Sequence, residues 1–319
     1  MKIGVVLCTY NGERFLPDQL DSILAQERHP DEMLVQDDGS SDRTLAILDS
    51  YAAKAPFAFN VVRNQQNLGF VRNFEQAINR CDTDVIAVSD QDDYWRWDKL
   101  KKIEQIFASD ERVGVLFSEA EIVDESLTPL GYGLLQGLHV SSVDLERIQS
   151  HDFLPPLLRR NLAPGATMAL RSKVKQRMLP IPDGAYHDEW MTLVAAMFGE
   201  LAFCAEPLIR YRQHGSNLLG IRRESFRSRV RKALRRIGYH EDLRRLKVIE
   251  NLYEHACRLA CPAGVLAEVE GKLEHLRMRT SLPSRRLARL KPVIFEFASG
   301  RYFKYSSWRG VVRDLLIPR

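Results

Sequence analysis

Three aspartates stand within four residues at Asp90, Asp92 and Asp93, directly after an apolar run that is typical of a buried strand. Carboxylates this close repel one another unless a cation lies among them. Hard divalent ions such as Mg²⁺ and Mn²⁺ take oxygen ligands and are often shared with substrate phosphates. A turn that uses aspartate caps has the same composition. The segment alone therefore leaves two interpretations open, a divalent metal site and a capped turn.

Polar segments also follow the three earlier predicted strands. Residues 9–12 read Thr-Tyr-Asn-Gly, residues 37–42 read Asp-Asp-Gly-Ser-Ser-Asp, and residues 67–70 read Asn-Leu-Gly-Phe. Ligands of open α/β sheets bind at the carboxyl ends of the strands, so we expect these segments to converge on one edge. The sequence contains neither a P-loop nor a G-x-G-x-x-G motif, which disfavours P-loop and dinucleotide-binding proteins.

Two segments further along the chain carry other candidates. Asp188 lies in His-Asp-Glu-Trp at residues 187–190, where it is either a helix cap or a general base that takes a proton from a hydroxyl group. Arg212 and His214 lie in Tyr-Arg-Gln-His-Gly-Ser-Asn at residues 211–217. Such a set could stabilise a diphosphate leaving group, and His214 could bind the metal, although a single histidine is more often structural.

Alternating strands and helices must position these segments. The apolar pattern predicts strands at residues 3–8, 32–36, 57–62, 85–89 and 113–117, and helices at 13–26, 42–54, 70–80 and 97–108. Asp42 is expected to be the N-cap of the second helix. The short connections imply parallel βαβ units, and therefore an α/β fold.

After about residue 119 the pattern is looser. It predicts a strand at 166–170, a helix at 187–198, and two paired strands at 201–205 and 208–212 that are separated by Glu206 and Pro207. From about residue 220 onward the sequence is rich in arginine and helical in character.

Composition and charge limit the class of protein. Hydrophobic residues make up 45% and charged residues 28%, as in soluble globular proteins, and no apolar run is long enough to span a membrane. The start of the chain does not resemble a signal peptide, so we expect a cytoplasmic protein. Residues 1–219 carry 22 Lys+Arg and 32 Asp+Glu, whereas residues 220–319 carry 24 and 10. This asymmetry predicts two regions, 1–219 and 220–319, with different partners.

Seven motifs occur together and in order over the first 220 residues, and together they resemble the inverting family 2 glycosyltransferases, most closely their rhamnosyltransferase-like bacterial branch. They are T-Y-N-G at 9–12, D-D-G-S-S-D at 37–42, N-L-G-F-x-x-N at 67–73, S-D-Q-D-D-x-W at 89–95, P-G-A-T-M at 164–168, H-D-E-W at 187–190 and Y-R-Q-H-G-S-N at 211–217. The resemblance implies the nucleotide-sugar transferase fold called GT-A, with a mostly parallel central sheet flanked by helices, followed by a basic, mostly helical C-terminal region.

The same resemblance implies a role for each candidate residue. Asp188 is the catalytic base, Asp90 and Asp92 with His214 bind Mg²⁺ or Mn²⁺, and Asp93 is a supporting acid. The residues implied in binding the nucleotide-sugar are Thr9, Tyr10, Asn11, Asp37, Asp38, Asn67, Gly69, Asn73, Asp90, Gln91 and Arg212. The implied reaction adds one sugar, with rhamnose from dTDP-rhamnose as the best guess, or a sugar from a UDP donor. The acceptor is a hydroxyl of a cell-surface polysaccharide, such as O-antigen, or of a lipid-linked glycan.

Two other functions remain open at this point. A nucleotidyltransferase that makes nucleotide-sugars would also use aspartate-bound metal, but residues 9–14 contain one glycine and one basic residue where such enzymes usually have a glycine-rich, basic loop. A non-enzymatic protein could bind nucleic acid or another anion through the basic residues between 222 and 236. The acidic first region disfavours nucleic acid. We expect instead a peripheral contact between the basic region and anionic lipid on the inner face of the plasma membrane.

Overall fold

One mixed sheet organises the region that carries the candidate residues. The structure is a computed structural model that describes residues 1–215 and 237–316. Its nine strands, counted within those residues, are β1 (Ile3–Thr9), β2 (Glu32–Asp37), β3 (Ala58–Arg63), β4 (Val85–Ser89), β5 (Tyr94–Trp95), β6 (Val115–Val123), β7 (Pro129–Gly133), β8 (Met168–Arg171) and β9 (Leu201–Arg212). They are ordered β3-β2-β1-β4-β8-β6-β9-β5, and β7 pairs with β6 outside this path.

Helices connect the strands and cover the sheet. They are α1 (Leu16–Leu24), α2 (Thr44–Ala52), α3 (Phe70–Arg80), α4 (Lys99–Ser109), α5 (Leu134–Gly137), α6 (Ser142–Gln149), α7 (Leu154–Arg159), α8 (Lys175–Met178) and α9 (His187–Met197). Within the described residues, five more follow β9: α10 (Ile237–Arg258), α11 (Ala263–Thr280), α12 (Arg286–Ala298), α13 (Arg301–Tyr305) and α14 (Trp308–Leu316). These elements confirm the α/β fold with a helical C-terminal region.

The first four strands form the parallel unit that the sequence predicts. β1 is buried along its whole length and pairs in parallel with β2 on one side and β4 on the other. Thr9 lies opposite Asp37, and Leu7 lies opposite Ser89. The segments that follow β1, β2 and β4 therefore leave the sheet side by side at one edge.

The rest of the sheet departs from the predicted parallel order. β8 runs antiparallel between β4 and β6, with Ala87 opposite Ala169 and Leu116 opposite the same residue. Because β8 is antiparallel, its beginning lies beside the end of β4, so the turn at Gly165–Thr167 reaches the same edge as the aspartate segment. β6 and β9 are parallel to each other, while β5 and β7 add antiparallel pairs that the sequence analysis did not predict.

Two local expectations are corrected. The predicted break at Glu206 and Pro207 is wrong, because β9 continues from Leu201 to Arg212. A register shift opposite Glu119 absorbs the extra residues, and proline, which has no N–H to donate, is tolerated at such an irregularity. Asp42 lies one residue before the N-cap of α2, which is Arg43, and its Oδ1 still accepts the N–H of Thr44 at 2.9 Å.

The C-terminal helices pack against the helices of the first region. One apolar core includes Val6 and Ile86 of the sheet, Trp190 of α9, and Leu252 and Leu273 of α10 and α11. The core is therefore continuous across the predicted boundary at 219 and 220, although that boundary itself and the arginines between 222 and 236 lie outside the described residues. Among the described helices, none combines the length and apolar character needed to cross a membrane.

Candidate active site

The aspartate segment forms the loop between β4 and β5 and concentrates negative charge. One ligand oxygen from each of Asp90, Asp92 and Asp93 lies within 4.8 Å of the others. Burial, followed by the charges of Asp92 and Asp188, raises the pKa of Asp90 to about 8. The buried Oδ2 of Asp93 has no hydrogen-bond partner among the described residues. A bound cation would relieve both the repulsion and the unpaired oxygen.

The end of β9 brings His214 to this loop. The Nε2 atom of His214 lies 2.8 Å from Oδ2 of Asp92, 122 positions earlier in the chain. The backbone N–H of Arg212 donates to Oδ1 of Asp93 at 2.9 Å, and the His214 ring packs 4.6 Å from the ring of Phe15. The structure thus brings His214 into contact with Asp92, one of the three aspartates of the acidic cluster, which also contains Asp90.

A buried lysine lies behind the acidic loop, and the sequence analysis did not identify it. The Lys99 ammonium donates to the carbonyl of Ala166 at 2.8 Å and lies 3.9 Å from the centre of the Trp95 ring. Burial lowers the pKa of Lys99 to about 7, although the charges of Asp93 and Asp90 act in the opposite direction. Lys99 thereby links the acidic loop to the turn before β8. Its spacing in the sequence indicates the burial of Lys99, because it lies four residues before Ile103 and eight before Phe107 on the buried face of α4.

Asp188 lies in the first turn of α9 and faces the turn before β8. Its Oδ2 accepts the N–H of Gly165 at 3.2 Å, and its Oδ1 accepts the N–H of Glu189 at 2.6 Å. Burial raises the pKa of Asp188 to about 6, even though these N–H groups favour the ionised form. The positive end of the helix also favours a carboxylate here. The side chain is therefore held in one orientation and titrates close to neutral pH.

The neighbour Glu189 anchors α9 to the C-terminal region. Its buried carboxylate accepts a hydrogen bond from Arg244 at 2.7 Å and lies 3.5 Å from Arg245. Both arginines belong to α10, so the helix that carries Asp188 is fixed by the region that follows β9. These positioning contacts could not be read from the sequence, because they join residues more than fifty positions apart.

Gly165 is needed where the turn approaches α9. A Cβ atom there would lie 2.3 Å from Nε2 of His187, whose ring stacks on Phe74 at 4.2 Å and cannot move aside freely. We expect Gly165→Ala to cost about 1–3 kcal/mol of unfolding free energy and to lower turnover, because the N–H that orients Asp188 is displaced. Chemical denaturation and a transfer assay measure the two effects.

Gly264→Ala is the matched control for this substitution. Gly264 has open space around the new methyl group and lies at the start of α11. It should leave both stability and turnover unchanged or slightly improved. Equal behaviour of the two variants would contradict the packing assigned to Gly165.

Several carboxylates of the site lie close enough together to shift the pKa of the same buried groups. After burial itself, four carboxylates raise the pKa of Tyr211 well above its ordinary range: those of Asp93, Asp90, Asp92 and Asp188. Burial, followed by the charges of Asp90 and Asp38, likewise raises the pKa of the Cys8 thiol. Asp38, the acidic loop and Asp188 are therefore grouped at one edge of the sheet rather than in separate regions.

The loops after β1, β2 and β3 form a hydrogen-bonded shelf beside the acidic loop. Asp37 accepts from Oγ1 of Thr9 and from the N–H of Ser40, both at 2.9 Å. Asp38 accepts the N–H of Gly69 at 2.9 Å, and Gly69 has a φ of +78°, which favours glycine. Both aspartates are buried and use their oxygens within the shelf. In the structure they fix the shape of these loops.

The remaining residues predicted to bind the nucleotide-sugar differ in how far they are buried. Asn73 is buried and donates to the carbonyl of Gln36 at 2.9 Å. Gln91 accepts the N–H of Tyr10 at 2.9 Å and so ties the shelf to the acidic loop. Three of the residues predicted to bind the nucleotide-sugar are exposed on the shelf, namely Tyr10, Asn11 and Asn67. These three present their side chains where a ligand can reach them.

Arg212 is held by protein groups. Its guanidinium donates to Asp18 at 2.7 Å, to the carbonyl of Asp92 at 2.8 Å and to the carbonyl of Glu125 at 2.5 Å. The side chain is buried. In this geometry Arg212 fixes the acidic loop against β9 and α1, and its expected contact with a diphosphate stays a prediction.

Comparison with known proteins matches this arrangement to one family. Residues 4–128 match the family model described as Glycosyl transferase family 2. An uncharacterized glycosyltransferase of Nostoc sp. is 27% identical over 224 residues, which cover 68% of this chain and 66% of that protein. The dTDP-rhamnosyl transferase RfbG of Shigella flexneri is 35% identical over 99 residues, covering 30% of this chain and 34% of that protein. The chain thus spans less than two thirds of the length of these curated relatives.

Solved structures share the fold at low sequence identity. A fragment of S. aureus TarS in complex with UDP-GlcNAc has a TM-score of 0.55 and 18% identity, covering 96% of this chain and 90% of that chain. The mannosyltransferase PcManGT of Pyrobaculum calidifontis, solved with GDP-Man and Mn²⁺, has a TM-score of 0.54 and 15% identity, covering 98% of this chain and 85% of that chain. At this level of identity the likeness concerns the fold alone.

Proposed function

We propose that this chain, whose residues 4–128 match the family 2 glycosyltransferase model, is a glycosyltransferase with a GT-A fold, and that its site performs the following reaction. One sugar passes from a nucleotide-diphosphate sugar to an acceptor hydroxyl, with a divalent cation and with inversion at the anomeric carbon. The observation that supports the proposal is the grouping of Asp188 with the acidic loop: Gly165 contacts Asp188, the adjacent Ala166 contacts Lys99 behind that loop, and the charge of Asp188 contributes to the raised pKa of Asp90. A base and a bound cation could therefore act on one donor.

Asp92, His214 and Asp90 are the residues proposed to hold the cation. Oδ2 of Asp92 and Nε2 of His214 lie 2.8 Å apart, so both atoms could hold one divalent cation, which takes oxygen and imidazole nitrogen ligands. The unpaired oxygen of Asp93 supports the same assignment. When bound, a divalent cation would neutralise the charge that develops on the diphosphate.

Asp188 is proposed as the base for the acceptor. Its carboxylate takes the proton of the acceptor hydroxyl as that oxygen bonds to the anomeric carbon, and the bond from the carbon to the diphosphate oxygen breaks with its electron pair on the diphosphate. Attack from the face opposite the leaving group inverts the anomeric centre in one step. The backbone N–H groups of Gly165 and Glu189 keep the carboxylate oriented for this transfer.

The rate should depend on the ionisation of Asp188. Because burial raises its pKa to about 6, the active carboxylate dominates above that pH and is lost as the pH falls through it. We expect kcat/KM at saturating metal to decline about tenfold per pH unit below about pH 6. A pH profile of initial rates measures this limb. A rate that stays constant well below pH 6 would assign the base to another group.

The nucleotide-sugar is proposed to bind on the shelf formed by the loops after β1, β2 and β3. Tyr10, Asn11 and Asn67 are among the exposed residues there. The loops beneath them are shaped by Thr9, Asp37, Asp38, Gly69 and Asn73. Rhamnose from dTDP-rhamnose remains our best guess for the donor, supported by the partial match to RfbG. The acceptor is proposed to be a cell-surface polysaccharide or lipid-linked glycan.

A donor panel tests the proposal. The full chain is incubated with dTDP-rhamnose, UDP-GlcNAc and GDP-Man, each with Mg²⁺, Mn²⁺ or EDTA, and both release of the nucleoside diphosphate and the shift in melting temperature are measured. We expect one donor to give a metal-dependent shift and slow release. Absence of both signals for every donor would overturn the proposed function.

The nucleotidyltransferase alternative gains no support from the site. The basic residue in the loop after β1 is Arg14, and its guanidinium is paired with Glu125 at 2.6 Å. The match to family 2 also favours sugar transfer. The basic segment invoked for anion binding lies outside the described residues, so that hypothesis stays a prediction.

A further inference from the structure

Helix α12 has its polar and apolar sides reversed relative to an ordinary surface helix. Its buried positions are Arg289, Val293 and Glu296, two of which are charged. Its exposed positions include Leu287, Ile294 and Phe295, whose exposed fractions are 83%, 62% and 70%. A helix on a protein surface normally buries its apolar side and exposes its charges. The reversal means that something other than the described chain is suited to cover α12.

Buried hydrogen bonds of Arg289 and ion pairs of Glu296 fix α12 in this orientation. Arg289 donates to the carbonyl of Pro283 at 2.6 Å and to the carbonyl of Asp314 at 3.1 Å. Glu296 accepts from His275 at 2.7 Å and from Arg301 at 3.0 Å. Turning the apolar side inward would break all of these contacts and leave the partner groups that remain buried without their hydrogen bonds, which is costly. The exposed side is therefore a stable feature of the fold.

The exposed apolar side chains form one surface, the C-terminal apolar face. It consists of Leu287, Leu290, Ile294, Phe295 and Phe297 of α12 and Phe303 of α13. Phe297 and Phe303 are in ring contact at 5.2 Å, which joins the two helices. α14 also exposes apolar side chains, those of Trp308, Val312 and Leu316, while Val311 and Leu315 pack inward. Exposed apolar surfaces of this kind mark interaction sites.

The exposed charges on the segment 281–316, which carries this face, are all positive. Residues 281–316 contain eight Lys+Arg and two Asp+Glu. The two acidic residues, Glu296 and Asp314, are buried, whereas Arg285, Arg286 and Lys291 are exposed. A second copy of the chain would bring like charges together, which disfavours self-association. A surface with negative charge above an apolar layer would complement both the basic and the aromatic side chains of this face.

We propose that the C-terminal apolar face docks on the surface of an anionic lipid bilayer, with its apolar side chains in the boundary between headgroups and acyl chains and its cations on the lipid phosphates. Helices that lie in a membrane interface combine Phe, Trp and Leu with Lys and Arg in this way. The sequence predicted a membrane contact from charge alone and placed its centre at residues 222–236. The proposed face is a different surface, and it makes insertion the main contribution. The inference does not rest on the proposed sugar transfer.

Flotation of the full chain with vesicles tests this proposal without donor or acceptor. The vesicles are phosphatidylcholine alone, or phosphatidylcholine with about one third phosphatidylglycerol. The test variant is Ile294→Ser with Phe295→Ser, and the matched control is Val143→Ser with Leu145→Ser, an exposed apolar pair on α6. We expect the parent and control to float with the anionic vesicles and the test variant to bind at least roughly tenfold more weakly.

Three results would overturn the proposal. The first is equal flotation of the test variant and the parent, which would leave only electrostatic attraction through other basic residues. The second is a parent that light scattering shows to be a dimer, becoming a monomer in the test variant with no change in flotation, which would make the face an interface between copies. The third is a large fall in the melting temperature of the test variant alone, since an uncovered face should tolerate serine.

Discussion

Replacing Asp188 by asparagine is expected to lower turnover by about 10²–10⁴-fold while donor binding persists. Asparagine matches the shape of the carboxylate but cannot take a proton from the acceptor hydroxyl. The donor shelf and the acidic loop lie on other elements and keep their hydrogen bonds. Initial rates give turnover, and calorimetric titration with the donor in the presence of metal gives binding.

Stability separates this catalytic role from a structural one. The ionised form of Asp188 is disfavoured in the folded state, because burial raises its pKa from 3.8 to about 6. Above that pH the charge costs folding free energy, by roughly 3 kcal/mol before any relaxation. Asparagine removes this cost but loses one of two acceptor oxygens. We therefore expect an unchanged or higher melting temperature at pH 8, together with the loss of turnover.

A nearby acidic residue provides the control. Asp183 precedes α9 by four residues, is almost fully exposed, and pairs with Arg72 on the surface. Asp183→Asn should keep parent turnover and stability, since exposed pairs contribute little. If Asp188→Asn also kept full turnover, the base would be a different residue. If it lost turnover only by unfolding, Asp188 would be structural.

The sequence predicted the part of the site that local order determines. Apolar runs separated by helices predict parallel βαβ units, and the carboxyl ends of parallel strands bring Thr9, Asp38 and Asp90 to one edge. The pairing of β1 with β2 on one side and β4 on the other shows this convergence. The short polar segments after these strands were therefore placed correctly before any contact was known.

The contacts that orient the site were beyond sequence reasoning for a physical reason. β8 pairs with β4 through Ala87 and Ala169, and that antiparallel insertion brings Gly165 to Asp188 and Ala166 to Lys99. No periodic pattern encodes a pairing between residues this far apart. It depends on how the elements pack after they form.

The reversed helix α12 shows the same limit in another form. Its apolar residues follow an ordinary helical spacing, which predicts a helix but does not say which side is buried. The side is decided by Arg289 and Glu296, whose partners Asp314 and His275 come from neighbouring helices. The hydrogen bond from Arg289 to the Asp314 carbonyl and the ion pair between Glu296 and His275 thus override the usual inward placement of apolar side chains.

Replacing Asp92 by asparagine is expected to lower metal-dependent turnover by at least about 10²-fold, because the diphosphate then departs without its counter-charge. Asp92 is the cluster residue that contacts His214, and its charge contributes to the raised pKa of both Asp90 and Asp93. Without metal, removing this charge should raise the melting temperature, since repulsion among the carboxylates falls. Adding Mn²⁺ should then raise the melting temperature of the parent and leave that of the variant nearly constant.

The melting temperatures with and without Mn²⁺ distinguish a metal ligand at Asp92 from a residue that only shapes the turn. A residue that only shapes the turn would lose stability on substitution, with or without Mn²⁺, and would leave the metal-induced shift in place. Asp124→Asn serves as the comparison, because Asp124 caps a turn at Ser126 and lies outside the acidic cluster. Parent-like turnover in Asp92→Asn, or an undiminished Mn²⁺ shift, would move the cation to other residues. Loss of the shift with retained folding would instead locate the cation at the junction of the acidic loop and the end of β9, where the leaving diphosphate must lie if Asp188 acts from the opposite face.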